Sequence, residues 1–259
     1  MSQSIIDIRK VSKTFITEDS SSELNVLNNI DLKIEENEFV CIVGPSGCGK
    51  STLLRIIAGL EPATGGDVFY RGEKHRKPSR EIGMVFQNYS LMPWLNVEDN
   101  ISLGLNFKKV PIAEKHEIIN KFLEIIGLEK FRKSYPHELS GGMQQRVAIA
   151  RSLANNPDVV LMDEPFGALD AYTRIQLQRE LLRIWEYDKK TIVFVTHSVD
   201  EAIYLADRIL LMSRKNGSIQ REISVNMPRI RDRSDAKYAK LTQELLVELE
   251  KLNETDDQQ

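Results

Sequence analysis

The chain has 259 residues, 41% hydrophobic and 28% charged, which is ordinary for a soluble globular protein. A net charge of −3 gives no sign of nucleic-acid binding, which usually needs a basic face, and no apolar run approaches the roughly 20 residues of a membrane-spanning helix. Cys41 and Cys48 are too few for a disulfide framework, and the first residues lack a secretory signal, so a reducing cytoplasm is expected.

The first part of the chain is predicted to be mainly β. Alternation of apolar and polar residues indicates two half-buried antiparallel strands, separated by a polar loop at 17–23. Gly59 stands where the C-cap glycine of a helix is expected. The predicted elements are strands at 5–17, 24–34, 38–43, 66–70 and 82–86 and a helix at 51–58.

Helical spacing dominates after residue 88, and buried strands return near residue 158. The predicted elements are helices at 97–106, 112–126, 141–154, 172–187 and 200–206, strands at 158–163, 191–196 and 208–213, and an amphipathic helix at 235–252. The alternation of strands and helices favours a parallel sheet. We therefore expect one α/β domain at 1–225 with a helical subdomain inserted at about 88–154. Residues 226–259 form a C-terminal extension with a polar tail.

A complete G-x-x-x-x-G-K-S motif lies between a predicted strand and a predicted helix, which is the structural context in which this motif binds phosphate. Its glycines let backbone N–H groups converge on one anion at the helix N-terminus. Lys50 can reach the β- and γ-phosphates of a nucleotide, and the Ser51 hydroxyl can ligate Mg²⁺. The alternative is a glycine-rich turn without a ligand. The motif comprises Gly44, Pro45, Ser46, Gly47, Cys48, Gly49, Lys50 and Ser51.

A second candidate feature is the apolar strand that ends in Asp163 and Glu164. Parallel α/β sheets place their sites at this end of their strands. Asp163 suits the coordination of Mg²⁺, and Glu164 suits polarisation of an attacking water, which favours hydrolysis over binding alone. The alternative is a strand that simply ends in solvated acids.

The run Leu139–Arg146, LSGGMQQR, precedes a predicted helix and is a second anion-binding device, with a serine hydroxyl and glycine N–H groups at a helix start. One nucleotide does not need two such devices from the same chain. The simplest use is closure over the γ-phosphate held by a neighbouring chain. Read alone, the run is a helix N-cap.

These motifs resemble the ABC transporter ATPases, whose signature is L-S-G-G-x-Q. The other landmarks of that family follow in order: Gln87 at a strand end, Pro165–Asp170 after the two acids, and Thr196-His197 after a buried strand. The resemblance covers residues 5–225. It implies a P-loop NTPase (RecA-like) α/β core with an antiparallel β subdomain and an inserted helical subdomain.

The resemblance implies that ATP and Mg²⁺ are bound between two chains docked head to tail. Ser140 and Gly142 of one chain would face the phosphate-binding residues of the other, with Gln144 touching the ribose or a phosphate. Asp170 would link the two sites. The residues implied as catalytic are Lys50, Gln87, Glu164 and His197, and those implied for Mg²⁺ are Ser51, Gln87 and Asp163.

Four further residues remain, and three of them are open to two interpretations. Thr52 would contact the α-phosphate, and Phe15 would stack on adenine, although plain packing of Phe15 is the alternative. His197 would contact the γ-phosphate, whereas a lone histidine is more often structural. Cys48 is interpreted as a small filler within the motif; an exposed Cys48 would instead make ATP binding sensitive to thiol reagents.

Among ABC proteins, the absence of fused membrane helices, of a second cassette and of a large regulatory domain favours a stand-alone importer ATPase. Residues 87–101 and 164–172 look like the nitrate/sulfonate/taurine/bicarbonate importer group. The basic stretch 227–233 also resembles that group, or it is a solvated linker. This implies a cytoplasmic protein, peripheral on the inner face of the cell membrane, acting with integral membrane permease subunits and indirectly with a solute-binding protein.

The loop after Gln87 is apolar, and the helical subdomain is expected to receive a short helix of the membrane subunit there. Exposed apolar patches often mark partners. The alternative is that Leu91 and Trp94 pack inside the subdomain. Two other functions remain open: a soluble ABC ATPase acting on ribosomes or DNA, and a regulatory module that closes on ATP but barely hydrolyses it. The second cassette of the pair is either a copy of this chain or a paralogue, and the cargo is undetermined.

Overall fold

The computed structural model describes residues 4–16, 23–167, 169–215 and 217–254. Most of the predicted polar loop, Ala168 and the end of the polar tail lie outside the described residues. The chain divides into two compact units, one formed by residues up to 79 together with those from 191 onward, and the other by residues 80–190.

In chain order the elements are β1 (Ser4–Ile16), β2 (Glu23–Glu35), β3 (Phe39–Val43), α1 (Lys50–Ile57), β4 (Gly65–Tyr70), β5 (Glu73–His75), β6 (Ile82–Val85), α2 (Val97–Phe107), α3 (Ile112–Ile126), α4 (Gly141–Ala154), β7 (Val159–Asp163), α5 (Ala171–Tyr187), β8 (Thr191–Thr196), α6 (Val199–Leu205), β9 (Arg208–Ser213), β10 (Ser218–Ser224) and α7 (Ala236–Glu254), with 3-10 turns at Glu129–Phe131 and Pro136–Glu138.

These elements confirm every predicted strand and helix, with boundaries that agree to within two residues. Two strands were missed. β5 has only three residues, and β10 is mostly exposed, with a sequence in which polar residues predominate. Neither carries the buried apolar pattern that marks a strand in sequence.

The first unit contains an antiparallel sheet and the parallel strands that support the candidate site. β1 pairs antiparallel with β2 and with β4, and β4 pairs antiparallel with β5. β3 lies between β8 and β9 and is parallel to both. All residues of β3 and β8 are buried, which explains their continuous apolar runs.

In the second unit, β6 and β7 are parallel neighbours, and α4 packs against α2 and α3. Apolar side chains of α2, α3 and α4 form one core, which includes Ile101, Leu123 and Val147. Their spacing along each helix produces the 3.6-residue periodicity that the sequence displays. The inserted helical subdomain at about 88–154 stays a prediction.

The residues after 225 belong to the first unit, where α7 packs on α6 and on β9. Tyr238 and Leu245 are buried, whereas Leu246 and Val247 are exposed. The amphipathic helix predicted at 235–252 is thus packed through one face. Among the described helices, none is both long enough and apolar enough to cross a bilayer.

Candidate nucleotide site

The phosphate-binding loop lies in the first unit, between β3 and α1. Gly47 and Gly49 have φ angles of 81° and 99°, in the region that favours glycine. A Cβ on Gly49 would lie 2.7 Å from Leu27 Cδ2, so the backbone there admits no side chain without a shift. α1 begins at Lys50, and no side chain caps it. Its N-terminal N–H groups therefore face the loop as donors for an anion.

Lys50 is folded over this loop and is only 4% exposed. Its Nζ donates to the carbonyl oxygens of Gly44 at 2.8 Å and of Pro45 at 2.9 Å. A buried ammonium that donates to neutral carbonyl groups would gain a full counter-charge from a phosphate. Ser46 and Gly47 are exposed at the turn, and the loop therefore fits a phosphate group.

Cys48 is buried in the same loop, and its Sγ lies 3.8 Å from Lys50 Nζ. Burial raises the pKa of the Cys48 thiol, although the nearby Lys50 acts in the opposite direction. The thiol is therefore neutral and enclosed near pH 7. This supports the interpretation of Cys48 as a filler and contradicts the alternative of an exposed, reactive thiol. Cys41 is also free and buried.

Three further candidate site residues, Phe15, His197 and Thr52, lie in the first unit. Phe15, near the end of β1, is 37% exposed, and Lys13 Nζ lies 4.6 Å from its ring centroid. Stacking of Phe15 on adenine stays a prediction. His197 is exposed between β8 and α6, and the next residue, Ser198, caps α6 by accepting a hydrogen bond from the Glu201 N–H. Thr52 is half-buried in the first turn of α1.

The acidic residues lie in the second unit at the end of β7. Asp163 is buried, whereas Glu164 is half-buried and has a φ of 43°. A non-glycine residue in the left-handed region carries backbone strain, and such strain concentrates at functional sites. Gln87 follows β6, the parallel neighbour of β7, and its Nε2 donates to Glu164 Oε2 at 3.3 Å. The structure thus brings Gln87 and Glu164 together.

The LSGGMQQR run begins α4. Ser140 is the N-cap residue, and its side chain accepts a hydrogen bond from the Met143 N–H at 3.3 Å. A Cβ on Gly142 would lie 2.7 Å from Thr173 Cγ2 of α5, so this glycine is required by packing. Gln144 Nε2 donates to the carbonyl oxygens of Pro136 and Leu139, which fixes the turn before the helix.

Asp170 caps α5, and its Oδ1 accepts a hydrogen bond from the Thr173 N–H at 3.0 Å. This backbone hydrogen bond lowers the pKa of Asp170.

Arg151, which the sequence did not single out, donates from α4 to the carbonyl oxygens of Ser90 at 2.7 Å and Tyr89 at 3.1 Å. It thereby holds the loop after Gln87.

Within that loop, Leu91 and Trp94 differ in their exposure to solvent. Trp94 is 69% exposed, whereas Leu91 packs against the helical core. The structure therefore leaves Trp94 available to a partner and places Leu91 inside. The packing alternative is thus confirmed for Leu91 and contradicted for Trp94, and docking of a membrane subunit on this loop stays a prediction.

In the described part of the chain, no group of three or more His, Cys, Asp or Glu side chains forms a metal site. Mg²⁺ in nucleotide sites needs few protein ligands, because phosphate oxygens and water complete its coordination. A hydroxyl, a carboxylate and an amide oxygen, as in Ser51, Asp163 and Gln87, are the oxygen donors that it accepts. Each of these side chains is thus a chemically suitable ligand for Mg²⁺, and their joint coordination of one ion stays a prediction.

The profile of the family described as ABC transporter matches residues 27–167, more than half of the chain. The chain belongs to the ABC transporter family, and it is an ATP-binding cassette with ATPase activity. The family resemblance read from the sequence is confirmed.

Several relatives are similar over nearly their whole length. An uncharacterised ABC transporter ATP-binding protein of Methanocaldococcus jannaschii is 49% identical, over 93% of this chain and 90% of the relative. The aliphatic sulfonates import ATP-binding protein SsuB of Bacillus cereus is 47% identical, over 95% and 96%. The nitrate import ATP-binding protein NrtD of Synechocystis is 45% identical, over 86% and 83%.

A solved structure has the same fold. It is the dimeric post-hydrolysis state of the ATP-binding cassette MJ0796 bound to ADP and Pi, with a TM-score of 0.77 and 37% identity. The match covers 86% of this chain and 100% of that one. The predicted α/β P-loop NTPase class is thereby confirmed.

Proposed function

We propose that this chain is the ATP-hydrolysing subunit of an ABC importer, which energises uptake of a small anionic solute through separate membrane subunits. The relatives named for the import of aliphatic sulfonates and of nitrate support this, since both cargoes are anions and both relatives are at least 45% identical to this chain. No observation favours the alternative of an ABC ATPase that is not coupled to transport.

The observation that carries the catalytic proposal is the pairing of Gln87 with Glu164 on neighbouring strand ends. In this proposal, Glu164 accepts a proton from the attacking water, and Gln87 orients that water. Lys50 and the backbone N–H groups of 44–51 neutralise phosphate charge, and His197 contacts the γ-phosphate. Mg²⁺, held by Ser51, Gln87 and Asp163, would supply further charge neutralisation. Positioning and charge neutralisation are the main requirements of phosphoryl transfer.

We also propose that a second copy of this chain completes each site. The N-terminus of α4, capped by Ser140, would bind an anion as the N-terminus of α1 would, and one nucleotide does not need both. Ser140, Gly142 and Gln144 would act on the ATP of the partner copy, and Asp170 would link the two sites. The dimeric state of the solved cassette supports this arrangement. Thr52 and Phe15 would complete the contacts to the α-phosphate and to adenine.

The partners follow from the same proposal. A membrane permease subunit would dock on the helical subdomain at 88–154, near Trp94, which is exposed. Such docking would hold the protein on the inner face of the cell membrane. A solute-binding protein would act indirectly, and we expect no nucleic-acid partner. Residues 1–225 would be the ATPase domain, and 226–259 its extension.

The mass of Glu164→Gln in solution, with and without Mg-ATP, tests the composite site. Without Glu164 to accept the proton, hydrolysis stops while binding persists, so we expect ATP to convert monomers into dimers. Glu164→Gln combined with Ser140→Arg is the matched control, because a large cation at the α4 start blocks closure, and it should stay monomeric. A monomeric Glu164→Gln protein that binds ATP normally would refute closure of two copies by ATP alone.

The permease contact has a separate test. Trp94→Ala should retain basal ATPase activity but lose copurification with, and stimulation by, the permease subunits. Phe107→Ala, which removes another exposed aromatic side chain of the second unit, is the control. Unchanged transport by Trp94→Ala would refute the assignment of this loop, without bearing on ATP hydrolysis.

A further inference from the structure

A segment of the C-terminal extension contacts both ends of α6, the helix that directly follows His197. We call Arg229, Arg231, Arg233 and Tyr238 the C-terminal clamp. The sequence left this basic stretch open as a solvated linker, and the structure contradicts that alternative. Arg231 is only 5% exposed, and the other three side chains all make hydrogen bonds to α6.

At the N-terminal end of α6, the clamp holds Asp200. Arg233 donates from Nε to Asp200 Oδ1 at 2.7 Å and from Nη2 to Oδ2 at 2.9 Å, which is a bidentate pair. The Tyr238 hydroxyl donates to the same Oδ1 at 2.6 Å. The Arg233 guanidinium also lies 4.0 Å from the ring centroid of Tyr204. These contacts fix the carboxylate in orientation as well as in position.

At the C-terminal end of α6, the clamp occupies backbone carbonyl groups that the helix leaves without partners. Arg231 Nη1 donates to the carbonyl oxygen of Ile203 at 2.7 Å, and Arg229 Nη2 donates to that of Leu205 at 2.6 Å. Burial lowers the pKa of Arg231 to about 10, so the guanidinium stays charged near pH 7. A cation at the C-terminus of a helix is also favoured by the helix dipole.

Hydrogen bonds from the first turn of α6 hold the loop that carries His197. The buried Glu201 side chain accepts a hydrogen bond from Thr196 Oγ1, and Thr196 Oγ1 accepts one from the Ser198 N–H. Ser198 Oγ caps the helix at the Glu201 N–H. Both neighbours of His197 are therefore tied to one residue of α6, and a displacement of α6 displaces the histidine.

We propose that the C-terminal clamp is a positioning device for His197: Arg233 and Tyr238 hold Asp200, and through α6 they fix the loop from which His197 acts. This rests on the role of His197 proposed above. It gives the C-terminal extension a part in ATP hydrolysis without any contact with the nucleotide.

The test compares Arg233→Ala with Arg221→Ala in the full-length chain. Arg221 is a matched control, because it ties β10 to α7 through Glu244 at 2.6 Å and Glu248 at 3.5 Å, and no described contact joins it to α6. We expect Arg233→Ala to lower kcat roughly 10- to 100-fold while the KM for ATP stays within about twofold, because misplacement of a catalytic group costs about this much. Arg221→Ala should leave kcat unchanged.

A spectroscopic readout separates positioning from general destabilisation. The chain has four histidines, and the imidazole Cε1–H resonance of His197 is the one absent from His197→Gln. Arg233→Ala should shift or broaden that resonance and leave those of His75, His116 and His137 in place. Tyr238→Phe, which removes one hydroxyl, should give a smaller shift of the His197 resonance. If Arg233→Ala does not fold, Tyr238→Phe serves as the test variant in its place.

The outcomes separate the two proposals. If His197→Gln retains full ATPase activity, the role proposed for His197 is wrong, whatever the clamp does. If His197→Gln is inactive while Arg233→Ala and Tyr238→Phe leave kcat and the His197 resonance unchanged, the clamp is only structural and the inference is overturned. An equal loss of kcat in Arg233→Ala and Arg221→Ala would also overturn the inference, because the loss would then come from loosening of α7.

Discussion

The left-handed backbone conformation of Glu164 predicts that the candidate nucleotide site lowers the free energy of unfolding of the protein. With a φ of 43°, Glu164 occupies a region that costs a non-glycine residue about 1–2 kcal/mol. Asparagine tolerates this region better than glutamate or glutamine, because its short polar side chain bonds locally. Glu164→Asn should therefore recover about 0.5–1 kcal/mol relative to Glu164→Gln.

Glu164→Gln is the matched control because both substitutions remove the same negative charge beside Asp163. They differ in length, and only the longer glutamine retains an oxygen within reach of Gln87. That contact is 3.3 Å long and lies on an exposed side chain, so its loss costs about 0.5 kcal/mol at most. Repeating the pair in a Gln87→Ala background removes this difference and isolates the backbone contribution.

The assay is the thermal unfolding midpoint, followed by circular dichroism without nucleotide. For a protein of this size, about 1 kcal/mol shifts the midpoint by roughly 2–4 °C, so Glu164→Asn should unfold about 1–4 °C above Glu164→Gln. Both variants should lack ATPase activity. Equal midpoints in the Gln87→Ala background would refute the claim that strain is stored at Glu164.

Three further predictions concern packing, pH and reactivity. Gly142→Ala should lower the free energy of unfolding by about 1–3 kcal/mol, measured with urea, because its Cβ would lie 2.7 Å from Thr173 Cγ2. Adding Thr173→Ser, which removes that methyl group, should restore stability to the Gly142→Ala protein. The control Gly141→Ala should cost less stability than Gly142→Ala. The pKa of Asp170 is lowered on folding, so its stabilisation is present above its ordinary value of 3.8 and is lost as pH falls through the folded value. Asp170→Ala should therefore be less stable than wild type at pH 7, and this difference in stability should shrink as the pH falls below 3.8. Cys48 should react with iodoacetamide in the native protein far more slowly than in urea at pH 8, since its pKa is raised by burial, and rapid native labelling would contradict this.

Much of the site could be predicted because its chemistry is local in sequence. The phosphate-binding loop depends on glycines at fixed spacing between a strand and a helix, and these turn geometries follow from the φ angles that only glycine adopts easily. The N-caps at Ser140 and Asp170 are likewise set by residues three positions apart. Continuous apolar runs identified the buried parallel strands for the same reason, since burial on both faces leaves no alternation.

The sequence did not reveal contacts between residues far apart in the chain. Thr173 lies 31 positions after Gly142, and only the packing of α5 against α4 shows that this glycine is constrained sterically. Arg151 reaches a loop some 60 residues earlier, and nothing in the local pattern distinguishes it from any other helical arginine.

The family, the phosphate-binding loop motif, the acidic strand end and the run that begins α4 could be recognised from the order of residues, because each depends on residues close together in the chain. The enclosure of Cys48, the strained backbone of Glu164 and the contacts of three C-terminal arginines with α6 became visible only in the folded protein. Burial, backbone strain and long-range hydrogen bonds depend on which elements meet in space, and a linear pattern of residue types does not encode that meeting directly.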